Sequence, residues 1–79
     1  MDIKIGQIVI SKAGRDKGMV FVVVEIKDDN HVLLADGKTR RLLKPKLKKL
    51  KHLQPTNFVS VEKWEKDADV RKILDSRSV

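Results

Sequence analysis

The segment from Met19 to Ile26, MVFVVVEI, constrains the fold more than any other part of this chain. Its β-branched and aromatic content suits a strand, in which successive side chains point to opposite faces. Val20, Val22, Val24 and Ile26 make one face apolar, and Met19, Phe21 and Val23 make the other apolar too. Such a strand must be covered on both sides. The face of Met19, Phe21 and Val23 is expected to lie outside the sheet, covered by the C-terminal segment through Phe58, Trp64 or the stripe Val70, Ile73 and Leu74.

The rest of the chain supplies little material for that cover. At 79 residues it is one domain at most, and a chain this short hides only about 60% of its unfolded surface on folding. Hydrophobic residues make up 41% of it in short runs, enough for a barrel or sandwich but not for a deep catalytic cavity. Cysteine is absent, which removes disulfides and thiolate zinc sites as staples. His31 and His52 are far apart in sequence, no serine sits in a nucleophile-elbow context, and the acids fall in turns or on helix faces. No catalytic residue, metal or cofactor is expected, and the chain reads as non-enzymatic. The N-terminus, MDIKIGQ, alternates charged and apolar residues, and no run approaches membrane-spanning length. A soluble, unprocessed, monomeric cytoplasmic protein without membrane contact is expected.

Strands are expected at 3–12, 19–27 and 31–35, with a turn at Asp28, Asp29 and Asn30 between the last two. Asp36 and Gly37 form a two-residue hairpin signal, so the chain is expected to return antiparallel from Lys38 to Lys44. Pro45 should interrupt that strand, and Leu47, Leu50 and Leu53 suit a 3₁₀ turn leading into a last strand near 50–54. Five short antiparallel strands in so small a chain point to an SH3-like barrel, a mainly β fold whose closure removes exposed edges. Beyond Pro55 the period changes: Val70, Ile73 and Leu74 follow helical spacing behind Asp67 and Asp69, which suit a helix start. The organisation expected is a barrel over 1–55 and an extension over 56–79, with a short helix at about 67–76 packed on the barrel and a frayed end from Arg77 to Val79.

Net charge is +7, and it is concentrated. Residues 1–35 and residues 62–79 each balance five cations against five acids. Residues 36–61 carry Lys38, Arg40, Arg41, Lys44, Lys46, Lys48, Lys49 and Lys51 against Asp36 alone. Cations crowded in this way repel one another, and a polyanion relieves the repulsion. The interleaved Leu42, Leu43, Leu47 and Leu50 should anchor the tract on a core while the cations, Arg40, Arg41, Lys48 and Lys49 among them, point to solvent.

Upstream, two apolar runs flank the loop GRDKG. Its glycines permit positive φ, so the loop can present backbone amides together with Arg15 and Lys17 to phosphate oxygens. The plain reading is a solvated turn in which Asp16 pairs with a neighbouring cation. With Gly6, Ile8 and Ile10 before the loop and Val20, Val22 and Val24 after it, the stretch resembles the KOW motif of ribosomal proteins and of transcription elongation factors of the NusG type. HVLLADGKTRRLLKPKLKKLKHL extends the likeness to KOW-containing large-subunit ribosomal proteins of archaea and eukaryotes and their short bacterial relatives, over about residues 3–54.

The resemblance implies an SH3-like KOW barrel that contacts ribosomal RNA through Arg15 and Lys17 and through the basic edge from Arg40 and Arg41 onward, with ribosomal proteins as further partners. Aromatic residues are few: Phe21, Phe58 and Trp64. Base-stacking modules need more of them on the surface, so recognition of RNA backbone and shape is expected, with weak sequence preference. Trp64 reads as a packing anchor. The alternative is a protein-interaction module that binds a ribosomal or transcription-machinery partner through Met19, Phe21 and Val23.

Overall fold

The computed structural model describes residues 3–76, so the expectation for Arg77 to Val79 lies outside the described residues. Five strands form one antiparallel sheet: β1 (Gln7–Ser11), β2 (Val20–Ile26), β3 (His31–Ala35), β4 (Lys46–Lys49) and β5 (Leu53–Val59), with a 3₁₀ turn at Leu50–His52 and a helix, α1 (Asp67–Ser76). Strand order is β4-β3-β2-β1-β5. The first four strands form a meander, and the 3₁₀ turn brings β5 back beside β1, the topology of an SH3-like barrel. The sheet is mainly β in class and carries α1 on its outside.

Two apolar clusters sit on opposite faces of β2, as its sequence requires, but the faces are the reverse of those expected. Phe21 and Val23 point into the barrel with Val9, Val32, Leu34 and Leu53, and Met19 packs against them. Val22 points outward and is covered by Val70 and Ile73 of α1, together with Ile8 and Ala35. Val20, Val24, Leu42, Trp64 and Leu74 complete this outer cluster. A period of two identifies two faces and says nothing about which is concave. The barrel takes the face that carries the large Phe21, and the flatter valine face receives the helix. Phe58 takes no part and stays 47% exposed. Phe21 and Val23 are wholly buried and Met19 is half-buried, so this face is not the exposed apolar surface on which the protein-interaction alternative relied.

Residues 37–45 also depart from expectation. No strand runs from Lys38 to Lys44; β4 begins after Pro45, which precedes the strand instead of interrupting it. The Asp-Gly pair does not make a tight hairpin because the Asp36 carboxylate accepts from the amides of Lys38 (2.9 Å) and Arg40 (2.8 Å), holding a wider loop. Gly37, at φ +78°, lies against α1: a Cβ there would fall 2.5 Å from the Asp67 carbonyl oxygen and 2.9 Å from Arg71 Cγ. Arg71 donates to the Gly37 carbonyl at 2.7 Å, and the Leu42 amide donates to Asp67 Oδ1 at 2.8 Å. The helix thus shapes this loop from outside. At the other end of the chain's sheet, β5 runs on to Val59, past the expected boundary at 55.

Candidate nucleic-acid interface

The GRDKG loop is built around Asp16, whose side chain turns inward. Gly14 and Gly18 adopt φ of +82° and +89°, and the Gly18 amide donates to the Ser11 carbonyl at 2.8 Å, closing the loop on the end of β1. Asp16 Oδ1 accepts from Ser11 Oγ at 2.7 Å and from Lys48 Nζ at 2.9 Å. Lys48 Nζ also donates to the Ala13 carbonyl at 2.9 Å. Lys46 Nζ stands 4.0 Å from Asp16 Oδ2. Burial raises the Asp16 pKa, but the hydrogen bonds from Lys48 and Ser11 and the charges of Lys48 and Lys46 outweigh it and hold the carboxyl below its ordinary value. The ion pair locks the loop and β4 into one surface although the two residues lie 32 positions apart.

This arrangement sorts the expected contact residues. Lys48 is 8% exposed and its ammonium is committed to Asp16 and Ala13, which corrects the expectation that it faces solvent. Register explains why: Lys46 and Lys48 pair with Leu34 and Val32, both interior residues, so the two lysines share the concave side of the sheet. Leu47 and Lys49 fall on the other side. Arg15 and Lys17 are exposed on the loop, Lys38, Arg41 and Lys44 are exposed on residues 37–45, and Arg40 and Lys46 are half-buried. Lys49 and Lys51 border a separate hollow with Asn30 and His31. Of the leucines expected as anchors, Leu42 and Leu50 pack against the cores, whereas Leu43 and Leu47 are 96% and 54% exposed.

An open groove runs between the GRDKG loop and residues 39–48. Met19 and Phe21 line it with Gly14, Asp16 and Thr39, and so do the cations Arg15, Arg40, Lys46 and Lys48. Sequence reasoning missed Lys12, which sits in the charge-balanced first third. Its amide donates to the His52 carbonyl at 2.8 Å, and its charge acts on the His52 ring with those of Lys51, Lys48 and Lys49. Desolvation first, and then these four cations, lower the His52 pKa. The tertiary pairing of Lys12 with residue 52 has no local signal in the sequence. His31 Nδ1 pairs with Asp28 Oδ1 at 2.9 Å, and among the described residues no group of three or more His, Cys, Asp or Glu could hold a metal ion.

The chain is 34% identical over 73 residues to large ribosomal subunit protein eL14 of Desulfurococcus amylolyticus, covering 91% of this chain and 76% of that protein. It belongs to the eL14 family. Its identity to eL14 of Pyrobaculum arsenaticum is 32% over 75 residues, covering 94% of this chain and 73% of that protein. To eL14 of Saccharolobus islandicus it is 34% over 74 residues, 92% and 77%. No protein-family model matches the chain. The likeness to eL14 spans the barrel, the basic loop and α1 alike, so the expected kinship with KOW-containing large-subunit ribosomal proteins holds over nearly the whole chain.

Proposed function

We propose that this chain is a non-enzymatic, ribosome-associated protein that binds structured RNA, ribosomal RNA first, on the face shared by the GRDKG loop and β4. The observation that carries this reading is the Asp16–Lys48 pair, which turns two sequence-distant basic segments into one surface. Arg15, Lys17, Arg40 and Lys46 contact phosphates beside the groove; Lys38, Arg41 and Lys44 on the 37–45 loop, Lys49 at the end of β4 and Lys51 after it widen the footprint. Lys48 contributes field and shape instead of a free ammonium. Lysine and arginine contacts of this kind fix position on RNA and carry little sequence information. Neighbouring ribosomal proteins are the second class of partner. The setting is the cytoplasm, and the chain is a monomer outside its complex.

Affinity for a structured ribosomal RNA fragment, measured against salt, tests the reading. Each phosphate contact should contribute roughly 0.7 to 0.9 to the log–log slope. Reversing Arg15, Arg40, Lys46 and Lys49 to Glu should abolish binding and flatten that slope while the fold persists. Retained affinity in this variant would sink the proposal. Duplex DNA serves as competitor, and equal competition by it would reduce the function to non-specific polyanion binding.

A further inference from the structure

One atom in the groove is out of keeping with a surface that only attracts phosphate. Asp16 is nine-tenths buried, at 9% exposed, and its Oδ1 is fully engaged by Ser11 and Lys48. Its Oδ2 is buried and accepts no hydrogen bond from any described residue. Lys46 Nζ, at 4.0 Å, is too distant to donate a hydrogen bond and close enough to attract. A buried anionic oxygen without a donor is unfavourable, and in native structures such atoms are few and call for a reason. Asp16 is one of the residues that line the groove, together with Met19 and Phe21.

The groove therefore combines three properties: apolar lining from Met19 and Phe21, a buried anionic acceptor on Asp16, and the cations Arg15, Arg40 and Lys46. A phosphate suits the cations but brings no N–H donor to the unfilled Asp16 acceptor. A group that fits all three is planar, apolar on its face, carries an N–H donor on its edge and is joined to phosphates on either side. We propose that the groove takes one unpaired nucleobase of the bound RNA, its edge N–H donating to Asp16 Oδ2 while Arg15, Arg40 and Lys46 hold the adjoining phosphates. This inference rests on the RNA-binding reading and deepens it. Lys46, which is half-buried, moves from Oδ2 to a phosphate as the base enters. The surface then reads more than charge: it selects an RNA with an extruded base over an unbroken duplex, as weak cation contacts alone do not.

The test uses a set of RNA hairpins with one stem sequence, carrying either a single-nucleotide bulge (A, C, G or U), the same bulge with an abasic residue, or no bulge. Base-bearing bulges are expected to bind about ten-fold more tightly than the abasic one, as a hydrogen bond to a charged acceptor warrants. Asp16→Asn, which turns the acceptor into an amide, should bind base-bearing and abasic hairpins alike. In the unaltered protein the Met19 methyl resonance should shift with a base-bearing bulge and stay in place with the abasic one, a readout that does not depend on the variant folding. Equal affinity for base-bearing and abasic hairpins overturns the base site and leaves RNA binding standing. Discrimination that survives in folded Asp16→Asn overturns the assignment to Asp16. Failure of every hairpin and of the ribosomal RNA fragment to bind overturns the RNA reading and the base site with it.

Discussion

At the scale of single residues, the Asp16–Lys48 pair accounts for most of what distinguishes this loop from a solvated turn. Removing one member of a buried pair strands the other, so Lys48→Met, which keeps a stem that lines the groove, should destabilise the fold by about 3 kcal/mol in urea denaturation. The double variant Asp16→Asn, Lys48→Met should recover much of that loss. The pair also sets a pH dependence. Because the folded Asp16 pKa is lowered, the unfolded chain holds this proton more tightly, and stability rises with pH through the range. The contribution is complete above the ordinary value of 3.8 and is lost as pH falls through the lowered folded value. Urea melts between pH 6 and pH 2, both values approximate, should show a shallower acid limb for Asp16→Asn than for the unaltered protein. A second residue, His52, serves as a probe of the basic field. Desolvation and the charges of Lys51, Lys48, Lys49 and Lys12 lower its pKa; bound RNA cancels the cationic part, so an NMR titration of the ring should show the pKa rise on complex formation. No change at His52 would place the RNA away from Lys12, Lys49 and Lys51.

At the scale of elements, α1 and the 37–45 loop are one assembly. The helix covers Val22 with Val70 and Ile73, and its first turn receives the Leu42 amide on Asp67. Ile73→Ala should therefore destabilise by about 2 to 4 kcal/mol, read from thermal or urea melts. Gly37→Ala meets two obstacles, a positive φ and a Cβ placed 2.5 Å from the Asp67 carbonyl oxygen, and should lose about 2 kcal/mol. Gly18→Ala shares the positive φ but has nothing within 4 Å of its Cβ, so its loss should be smaller. The proposed division into barrel and extension is tested by truncation. A chain cut after Ser60 keeps β5 and the Ser60 to Gly6 backbone bond but exposes Ile8, Val22 and Ala35. It should lose cooperative unfolding, which calorimetry would detect; an unchanged transition would make the extension dispensable to the fold.

At the scale of the whole molecule, the excess of seven charges and the two-sided β2 were both visible in the primary structure, and so was the helix at Asp67–Ser76; a 3₁₀ turn was expected too, but it falls at Leu50–His52, where the last strand was expected to begin. These are local or compositional matters: a charge count needs no fold, and an apolar period of two or of 3.6 is written along the chain. Three things were settled only by packing. Which face of β2 turned inward depended on where Phe21 could be enclosed by Val9, Val32, Leu34 and Leu53, contacts between segments far apart in sequence. The loop after the Asp-Gly pair at 36–37, held by the Asp36 carboxylate, is also packed against α1, which arrives thirty residues later and lies against Gly37. The basic tract, which reads as one uniform run, was divided by strand register into Lys46 and Lys48 on the groove side and Lys49 on the other. The sequence by itself determined that a small, strongly basic β barrel would form, because burial of apolar strands and the sum of charges are properties of the chain. Where its groove lies, and which lysine closes it on Asp16, only the tertiary structure decided, since both depend on bringing residue 16 to residue 48.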